Sequence, residues 1–286
     1  MAVLIGDKNK SAMYHLATEE YLLRHYDLKE DILYIWFGTK AFIFGRNQNP
    51  FIEIHPKYLA DPSIMKLRRL SGGGTIYEDQ GTINFSIITN NYKDKINDYQ
   101  YFLNPLIQYL NSLGIKADFH PKTHVYINHQ KISGNAQAFI NHRLMHHGTI
   151  LYRTDLSIIE EALVDYSTQA KGHQVLSNKQ KVTNLMKLTK IEPLAFIDQL
   201  ISQYCQQLNI HEQPILNLDY KKIQQIVEEK YQSWDWNFGA TPKFEIDVLF
   251  HQEPLTLVVE KGLIKDVSLK QYHSLIGQKF NSFHMI

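Results

Sequence analysis

A glycine-rich segment holds the densest set of residues in the chain that could do chemistry. Residues 68–77 read Arg-Arg-Leu-Ser-Gly-Gly-Gly-Thr-Ile-Tyr and precede an apolar run that begins at Ile83. Consecutive glycines let the backbone approach a ligand closely and turn N–H donors towards an oxyanion, and Arg69 adds a planar cationic fork. The segment therefore predicts a cradle for a phosphate or a carboxylate. It matches neither the Walker motif nor the dinucleotide GxGxxG motif, and a plain hairpin loop is the alternative.

A lysine beside a second glycine is the next candidate. Residues 131–137 read Lys-Ile-Ser-Gly-Asn-Ala-Gln, and we expect Lys131 to leave a strand at a Ser-Gly turn. A lysine on a rigid element can hold a point charge against a phosphate and against negative charge that develops during a reaction. A solvated surface lysine is the alternative, because most lysines are of that kind.

Histidines dominate the remaining set of potential ligands. The chain has 14 histidines but one cysteine, Cys205, which excludes an internal disulfide and a cysteine-based zinc or iron–sulfur site. A zinc site would form if the six histidines between residues 120 and 147 converged, and solvated histidines in turns and at edges are the simpler interpretation. These six are His120, His124, His129, His142, His146 and His147. For Trp234 and Trp236 we expect packing rather than ligand stacking.

Composition describes a folded protein with no special affinity for nucleic acid or lipid. With 286 residues, 44% of them hydrophobic and 21% charged, the chain can bury a full core. The net charge of +1 and the lack of a long basic run argue against a nucleic-acid partner. The apolar run at residues 2–5 is too short for a signal peptide, and no stretch approaches the ~20 apolar residues of a membrane span. We therefore expect a soluble cytoplasmic protein.

Helices and short strands must position these groups. Ser11 is expected to cap a helix with one apolar face and with Glu19 and Glu20 on the other face. The apolar runs at residues 32–37 and 41–44 predict buried strands joined by a tight turn, and a mixed or antiparallel sheet begins there.

The middle of the chain continues the same mixture. The pattern predicts a strand at residues 83–88, a helix that ends at Gly114, and a hairpin with its turn at Asn128-His129. Strand character returns at residues 149–152. From about residue 191 to 231 the apolar residues follow a helical period, with Leu200, Ile201, Tyr204 and Leu208 in one stripe, and the sheet is expected to have ended.

The C-terminal segment predicts a small separate unit. Three short alternating strands are expected near residues 244–250, 255–260 and 263–269. About 45 residues lie close to the lower limit for independent folding, so this unit should lean on the rest of the chain. The fold class is therefore α+β, with a catalytic domain at residues 1–240 and a small accessory domain at residues 241–286.

Taken in order, these segments resemble the lipoate–protein ligase family, and the resemblance covers most of the chain. The matching stretches are Gly45 to Asn49, Arg68 to Gly74, Lys131 to Ala136, His146 to Thr149, Val182 to Leu185 and Ser233 to Gly239. The resemblance implies a fold shared with biotin ligases, in which helices flank a mixed sheet and a small, here truncated, α+β accessory domain follows.

The same resemblance implies a reaction. Lipoate would be activated by ATP and Mg²⁺ to lipoyl-AMP and transferred to a lysine of an acceptor lipoyl domain, either the E2 component of a 2-oxoacid dehydrogenase or the glycine cleavage H protein. Lys131 would be catalytic, bridging the α-phosphate and the lipoyl carbonyl. The residues implied for the nucleotide are Arg69, Gly74, Thr75, Ile76, Tyr77 and Lys131. The residues implied for lipoate are Ser71, Gly72, Gly73, His147 and Gly148. Metal ligands stay open.

The chain departs from the family pattern at several positions. Residues 121–124 read Pro-Lys-Thr-His where many members have Gly-Arg-Asn-Asp, so a carboxylate that could order a metal is missing there. Glu78 stands where histidine is common, and Thr82 where asparagine is common. Residues 179–181, Lys-Gln-Lys, keep positive charge with lysine in place of the usual arginine, which would weaken bidentate phosphate binding.

Two other functions stay open. A lipoyl or octanoyl transferase would share the fold and move an acyl group between carrier proteins without ATP. Many such transferases form a thioester on a cysteine, whereas Cys205 lies on a predicted helix and is expected to be a core residue. A protein that only binds lipoyl domains is the third possibility, motivated by the replacement at Thr123-His124 and opposed by the presence of Lys131.

Overall fold

The computed structural model describes residues 2–119, 123–172, 175–178, 180–207, 213–214 and 217–280. The strands are β1 (Ala2–Ile5), β2 (Ile32–Phe37), β3 (Ala41–Phe44), β4 (Met65–Arg68), β5 (Ile76–Glu78), β6 (Thr82–Thr89), β7 (Ala117–Phe119), β8 (His124–Ile127), β9 (Gln130–Ile140), β10 (Arg143–Leu151), β11 (Ala170–Lys171), β12 (Gln213–Pro214), β13 (Phe244–Phe250), β14 (Glu253–Glu260) and β15 (Leu263–Val267). The α-helices are α1 (Ala12–Arg24), α2 (Pro50–Glu53), α3 (Pro56–Ala60), α4 (Tyr99–Ser112), α5 (Leu156–Ala162), α6 (Pro193–Gln207) and α7 (Tyr220–Ile226). Short 3₁₀ helices occupy Ser167–Gln169, Leu185–Lys187 and Lys270–Leu275, and π-helical turns occupy Val227–Tyr231 and Asp235–Gly239.

The chain folds into two compact units, each assembled from three segments. Unit 1 comprises Met1–Thr39, Glu78–Leu156 and Lys179–Val227. Unit 2 comprises Lys40–Tyr77, Ser157–Asn178 and Glu228–Ile286. Compactness does not tell which residues are sufficient for catalysis, so the division into a catalytic domain at 1–240 and an accessory domain at 241–286 stays a prediction.

Unit 1 is built on an eight-stranded mixed sheet. The strand order is β12-β1-β2-β6-β10-β9-β8-β7; β1 runs parallel to β12 and β2, and the other neighbours are antiparallel. On one face, Leu33 and Phe85 pack in a cluster with apolar residues of α4 and α6. On the other, Tyr34 and Ser86 hydrogen-bond with α1. Because β2 is buried on both faces, it reads as a continuous apolar run. The predicted mixed sheet flanked by helices is confirmed.

Turn chemistry in unit 1 follows the sequence closely. Asn128 and His129 connect β8 to β9 with φ of 50° and 62°, the two positive values of a type I′ hairpin turn. The Ser11 side chain accepts a hydrogen bond from the Tyr14 N–H at the start of α1, and Gly114 follows α4 with φ of 76°. The predicted hairpin, helix cap and helix end are therefore confirmed.

Unit 2 contains two smaller sheets. One has the order β4-β3-β5, with β3 and β4 parallel, and the other is the antiparallel sheet β11-β13-β14-β15. The three predicted C-terminal strands are present, and their apolar side chains form one cluster with Phe51 and Ile52 of α2. A segment far away in the sequence thus completes the core of this small sheet, which agrees with its predicted need for support.

Several predictions about the elements are wrong. The runs at 32–37 and 41–44 do not share a sheet, because β3 pairs with β4 in unit 2. The sheet of unit 1 also has not ended by residue 191, because β12 at 213–214 pairs with β1. Leu208, predicted in a helical stripe, lies outside the described residues.

The expected Ser-Gly turn after Lys131 is also wrong. Strand β9 continues through Ser133 and Gly134 to Ile140, because β8 and β10 pair with it on both sides.

Glu19 and Glu20, expected on the solvent face of α1, are 3% and 5% exposed. The buried Glu20 carboxylate accepts a hydrogen bond from Arg24 Nε at 2.8 Å.

In the part of the chain that the structure describes, no helix combines the length and the apolar character needed to cross a membrane.

Candidate active site

Arg69 fastens the glycine loop, which we define as residues 69–75, from inside. Its Nε donates to Ser71 Oγ at 3.1 Å, and Nη1 donates to the Ile43 carbonyl of β3 at 3.0 Å. Nη2 donates to the carbonyls of Gly72 and Gly74 at 2.6 and 2.8 Å. The glycine loop and β3 thus meet at the side chain of Arg69, a residue that is 6% exposed. The loop is a fixed structure rather than the plain hairpin that was the alternative.

Two glycines set the path of this loop. Gly73 has φ of 88°, in the region that disfavours side chains with a Cβ. A Cβ on Gly45 would lie 2.2 Å from the Gly73 carbonyl oxygen, so the loop lies directly on the backbone at Gly45. Gly72, in contrast, has nothing within 4 Å of a Cβ position. The backbone conformation at position 73 therefore favours glycine.

A buried hydrogen-bond network in unit 2 holds the C-terminal end of the loop. The Thr75 N–H donates to Ser177 Oγ at 2.8 Å, and Thr75 Oγ1 donates to Gln48 Oε1 at 3.0 Å. Glu53 accepts from the Ser177 N–H and hydroxyl and from Gln48 Nε2. Burial raises the pKa of Glu53, and these hydrogen bonds partly offset the rise.

The residues after the loop lead into β5. Ile76 opens this strand, and the Tyr77 ring packs in a buried cluster with Phe42 at 5.3 Å between ring centroids. Tyr77 is 2% exposed, so its ring is not available to stack on a ligand.

Lys131 lies on β9 in unit 1. Its main chain is hydrogen-bonded to residues 181 and 183. Its N–H donates to the Lys181 carbonyl at 2.8 Å, and its carbonyl accepts from the Thr183 N–H at 3.1 Å. Lys131 and Val182 thereby form a parallel bridge. The family segments around Lys131 and Val182, which are fifty residues apart in sequence, therefore meet in the structure.

The unusual Thr123-His124 pair lies beside this lysine. Burial, and secondarily the charge of Lys131, lower the pKa of His124 to about 4, so the ring is neutral at pH 7. Asn135 Nδ2 donates to the Thr123 carbonyl at 3.0 Å. Pro121 and Lys122, the other half of the departure from the family pattern, lie outside the described residues, as does His120.

His147 and Gly148 lie on β10 of unit 1. His147 Nδ1 lies 3.2 Å from Glu19 Oε2, and the other oxygen of Glu19 accepts from the Ser86 hydroxyl. A Cβ on Gly148 would lie 1.8 Å from Asn135 Oδ1, so glycine is required for Asn135 to pack across the strand pair.

The replacements after the glycine loop are buried polar groups. Glu78 Oε2 accepts from Asn84 Nδ2 at 2.9 Å, and Thr82 Oγ1 lies 2.8 Å from Thr154 Oγ1. Burial first, and then the nearby negative charge of Glu19, raise the pKa of Glu78 to about 8. Glu78 is therefore protonated at pH 7.

The remaining candidates have structural contacts. Among the described residues, no three His, Cys, Asp or Glu side chains are grouped in a way that could hold a metal ion. Trp234 stacks on Phe238 at 4.5 Å, and Trp236 Nε1 donates to the Arg68 carbonyl at 2.8 Å, as expected of packing residues. Cys205 packs, partly buried, against the main core of unit 1.

The predicted site residues fall into two groups. Unit 1 carries Lys131, His147 and Gly148. Unit 2 brings together residues of the glycine loop and the first two residues of β5, namely Arg69, Ser71, Gly72, Gly73, Gly74, Thr75, Ile76 and Tyr77. Sequence reasoning missed Gln48, although it lies in a matching stretch, and Glu19, which the helical pattern placed at the surface. No sequence signal pointed to Ser177 or Glu53.

Comparisons with known proteins identify the family to which the chain is related. A family model described as the lipoyl protein ligase A/B catalytic domain matches residues 11–205. The lipoate-protein ligase LplJ of Bacillus subtilis is 33% identical over 267 residues, covering 89% of this chain and 80% of that protein.

Solved structures share the fold. The T. acidophilum protein Ta0514 with bound lipoic acid has a TM-score of 0.71 at 22% identity, covering 83% of this chain and 99% of that one. A lipoate-protein ligase A with bound ATP has a TM-score of 0.70 at 22% identity, covering 82% and 97%. Because the family model spans most of the sequence and a relative one-third identical aligns over nearly all of it, the chain belongs to the lipoate–protein ligase family.

Proposed function

We propose that this protein is an ATP-dependent lipoate–protein ligase. It activates lipoate as lipoyl-AMP and transfers the lipoyl group to a lysine of a lipoyl carrier protein. The observation that carries the proposal is the fixing of Lys131: both its main-chain N–H and its carbonyl are hydrogen-bonded to residues 181 and 183, so the charge starts from a rigid position. Solved structures that hold lipoic acid or ATP share the fold.

In the first step, a lipoate carboxylate oxygen attacks the α-phosphorus of ATP and pyrophosphate leaves. Two anions must approach each other, so fixed positive charge and oriented donors are needed where negative charge accumulates. Lys131 supplies that charge to the α-phosphate and to the carboxylate. Residues 74–77 and Arg69 hold the nucleotide, with Arg69 keeping the loop in shape. Ser71, Gly72, Gly73, His147 and Gly148 bind lipoate.

In the second step, the amine of the acceptor lysine attacks the lipoyl carbonyl and AMP leaves. The acceptor is a lipoyl domain of a 2-oxoacid dehydrogenase or the glycine cleavage H protein, and the reaction takes place in the cytoplasm. Mg²⁺ enters with ATP as part of the substrate, and phosphate oxygens are expected to supply most of its ligands. His124, which replaces the aspartate of many family members, has a neutral ring beside Lys131 and adds no negative charge that could hold the metal.

The test is incubation with lipoate, ATP and Mg²⁺ and detection of lipoyl-AMP by mass before any acceptor is added. Lys131→Ala should slow this step about a hundredfold, roughly 3 kcal/mol of transition-state stabilisation, while leaving the fold intact. Arg at position 131 should not restore the rate, because guanidinium is wider than ammonium. A wild-type rate in Lys131→Ala would remove the assignment.

Transfer without ATP is the competing function, and Cys205 separates the two. A transferase that uses a thioester needs a reactive cysteine, whereas Cys205 lies partly buried on α6 and packs against the core of unit 1. Cys205→Ser should leave adenylation and lipoyl transfer nearly unchanged. A hydroxylamine-sensitive acyl-enzyme formed from an acyl carrier protein in the absence of ATP would instead support the transferase.

A further inference from the structure

Gly134 lies in the interior of β9, where glycine is not the expected residue. It pairs with His124 on β8 and with Thr149 on β10. Glycine in a strand interior costs conformational entropy and contributes no side chain to the sheet. Its φ is not among the positive values, so the backbone conformation there is open to other residues. The reason for a glycine at this position must therefore be space.

Lys131 occupies that space. A Cβ on Gly134 would lie 2.8 Å from Lys131 Nζ and 2.9 Å from Lys131 Cε, distances that real Cβ atoms do not show. The third nearest atom is His124 Nδ1, at 3.9 Å. An added methyl group would thus meet no backbone at close range. It would meet the end of one flexible side chain, which can move away at little cost in stability.

A β-bulge brings the two residues to the same face. Residues three apart in a regular strand point to opposite sides of the sheet. Here the register shifts between β8 and β9: Val125 is opposite Ser133, and Tyr126 is opposite Lys131. Ile132 is the extra residue. Bulges of this kind redirect side chains next to active sites.

We propose that Gly134 is a positioning residue for the ammonium group of Lys131: the missing side chain and the bulge at Ile132 together define where that charge rests. This inference rests on the proposed role of Lys131 in adenylation. A charge that must serve both a phosphate and a carboxylate tolerates little displacement, and a misplacement of about 1 Å can cost on the order of a hundredfold in rate. Gly134 therefore acts through Lys131 and does not itself touch the substrate.

The experiment is a double-mutant cycle on the full chain. Single-turnover formation of lipoyl-AMP is measured for wild type, Gly134→Ala, Lys131→Ala and the double variant, together with the melting temperature of each. We expect Gly134→Ala to be slowed roughly 10- to 100-fold with a melting temperature close to wild type. We expect the double variant to be as slow as Lys131→Ala alone, because without the lysine the added methyl group displaces nothing.

The outcomes separate this inference from the proposed function. A slow Lys131→Ala with a wild-type rate in Gly134→Ala would overturn the positioning role and leave the ligase assignment standing. Losses that multiply in the double variant would show that Gly134 acts independently of Lys131. A wild-type rate in Lys131→Ala would overturn both.

A second measurement does not depend on turnover. Labelling of lysine amines with an acylating reagent, mapped by mass spectrometry in the absence of substrates, reports the environment of Lys131 directly. Gly134→Ala should change the labelling rate of Lys131 severalfold while that of the exposed Lys171 of β11 stays constant. An unchanged rate at Lys131 would contradict the inference even if Gly134→Ala were less stable.

Discussion

Arg68 directly precedes the glycine loop and Glu78 ends β5, the strand that follows the loop, and both residues have zero solvent exposure. In unit 2, the Arg68 guanidinium donates to a complete set of acceptors: the carbonyls of Gly45, Arg46, Gln48, Trp236 and Asn237, and Thr241 Oγ1, at 2.8–3.1 Å. In unit 1, Glu78 has a bond from Asn84 to one oxygen, while Oε1 has no hydrogen-bond partner among the described residues.

Arg68 and Glu78 therefore differ in their protonation state in the interior. Burial lowers the pKa of Arg68 to about 10, which still leaves it charged at neutral pH. Burial raises the pKa of Glu78 to about 8, so this carboxyl is neutral at pH 7. A buried side chain keeps its charge where hydrogen bonds replace its hydration, and a buried carboxyl that lacks enough of them takes up a proton. Arg68 is therefore a charged anchor, and Glu78 is a protonated carboxyl.

Removing the charged anchor should have the largest effect. Arg68→Met keeps the volume but leaves five carbonyls in the interior without their donor, and we expect a loss of about 4 kcal/mol in the free energy of unfolding. Urea denaturation measures it. The control is Arg46→Met, an exposed arginine in the same unit, which should change stability by less than about 0.5 kcal/mol. Equal losses in the two variants would show that the buried hydrogen bonds of Arg68 contribute little.

The sequence contains more information about local structure than about the buried contacts of Arg68 and Glu78. Strand β2 and the hairpin at Asn128-His129 could be predicted because apolar runs and turn residues act within a few positions. The place of β3 could not, because its partner β4 is twenty residues away and nothing local distinguishes one sheet from another.

The candidate site shows the same limit. Residue type and spacing predict the glycine loop as a ligand cradle, and the family resemblance implies the role of Lys131. Gly134 was misread as a turn, because a Ser-Gly pair is typical of turns and only pairing on both sides makes it a strand. Glu19 was misplaced because its partners, Ser86 and His147, come from distant strands.

The raised pKa of Glu78 should make the free energy of unfolding depend on pH. The pKa of Glu78 in the folded protein lies above its unfolded value, so the folded state binds more protons between about pH 4.5 and 8. Its contribution to stability is therefore present at low pH and is lost as the pH rises. Glu78→Gln, a mimic of the protonated carboxyl, should be more stable than wild type by about 3 kcal/mol near pH 7.

Denaturation midpoints from pH 5 to 9 measure this difference. The stability gain of Glu78→Gln should grow as the pH rises and level off above about pH 8. Glu245→Gln, which alters an exposed carboxyl on β13, is the control and should follow the wild-type curve. A gain that does not change with pH would mean that Glu78 is ionised when folded, and the contrast with Arg68 would no longer hold.

The smallest effect is expected at Gly73, within the glycine loop. A side chain in its conformation, with φ of 88°, costs roughly 1–2 kcal/mol, and a β-branched one sits at the upper end. Gly73→Val should therefore lose that much stability and bind lipoate more weakly, because the loop can no longer keep the conformation in which Arg69 binds the Gly72 and Gly74 carbonyls. Gly72→Val is the matched control for stability: a Cβ there meets nothing within 4 Å, and its φ is not positive. Thermal denaturation and lipoate titration of the two variants test the point. If folded Gly73→Val binds lipoate with the affinity of wild type, lipoate binding does not require the loop conformation at Gly73.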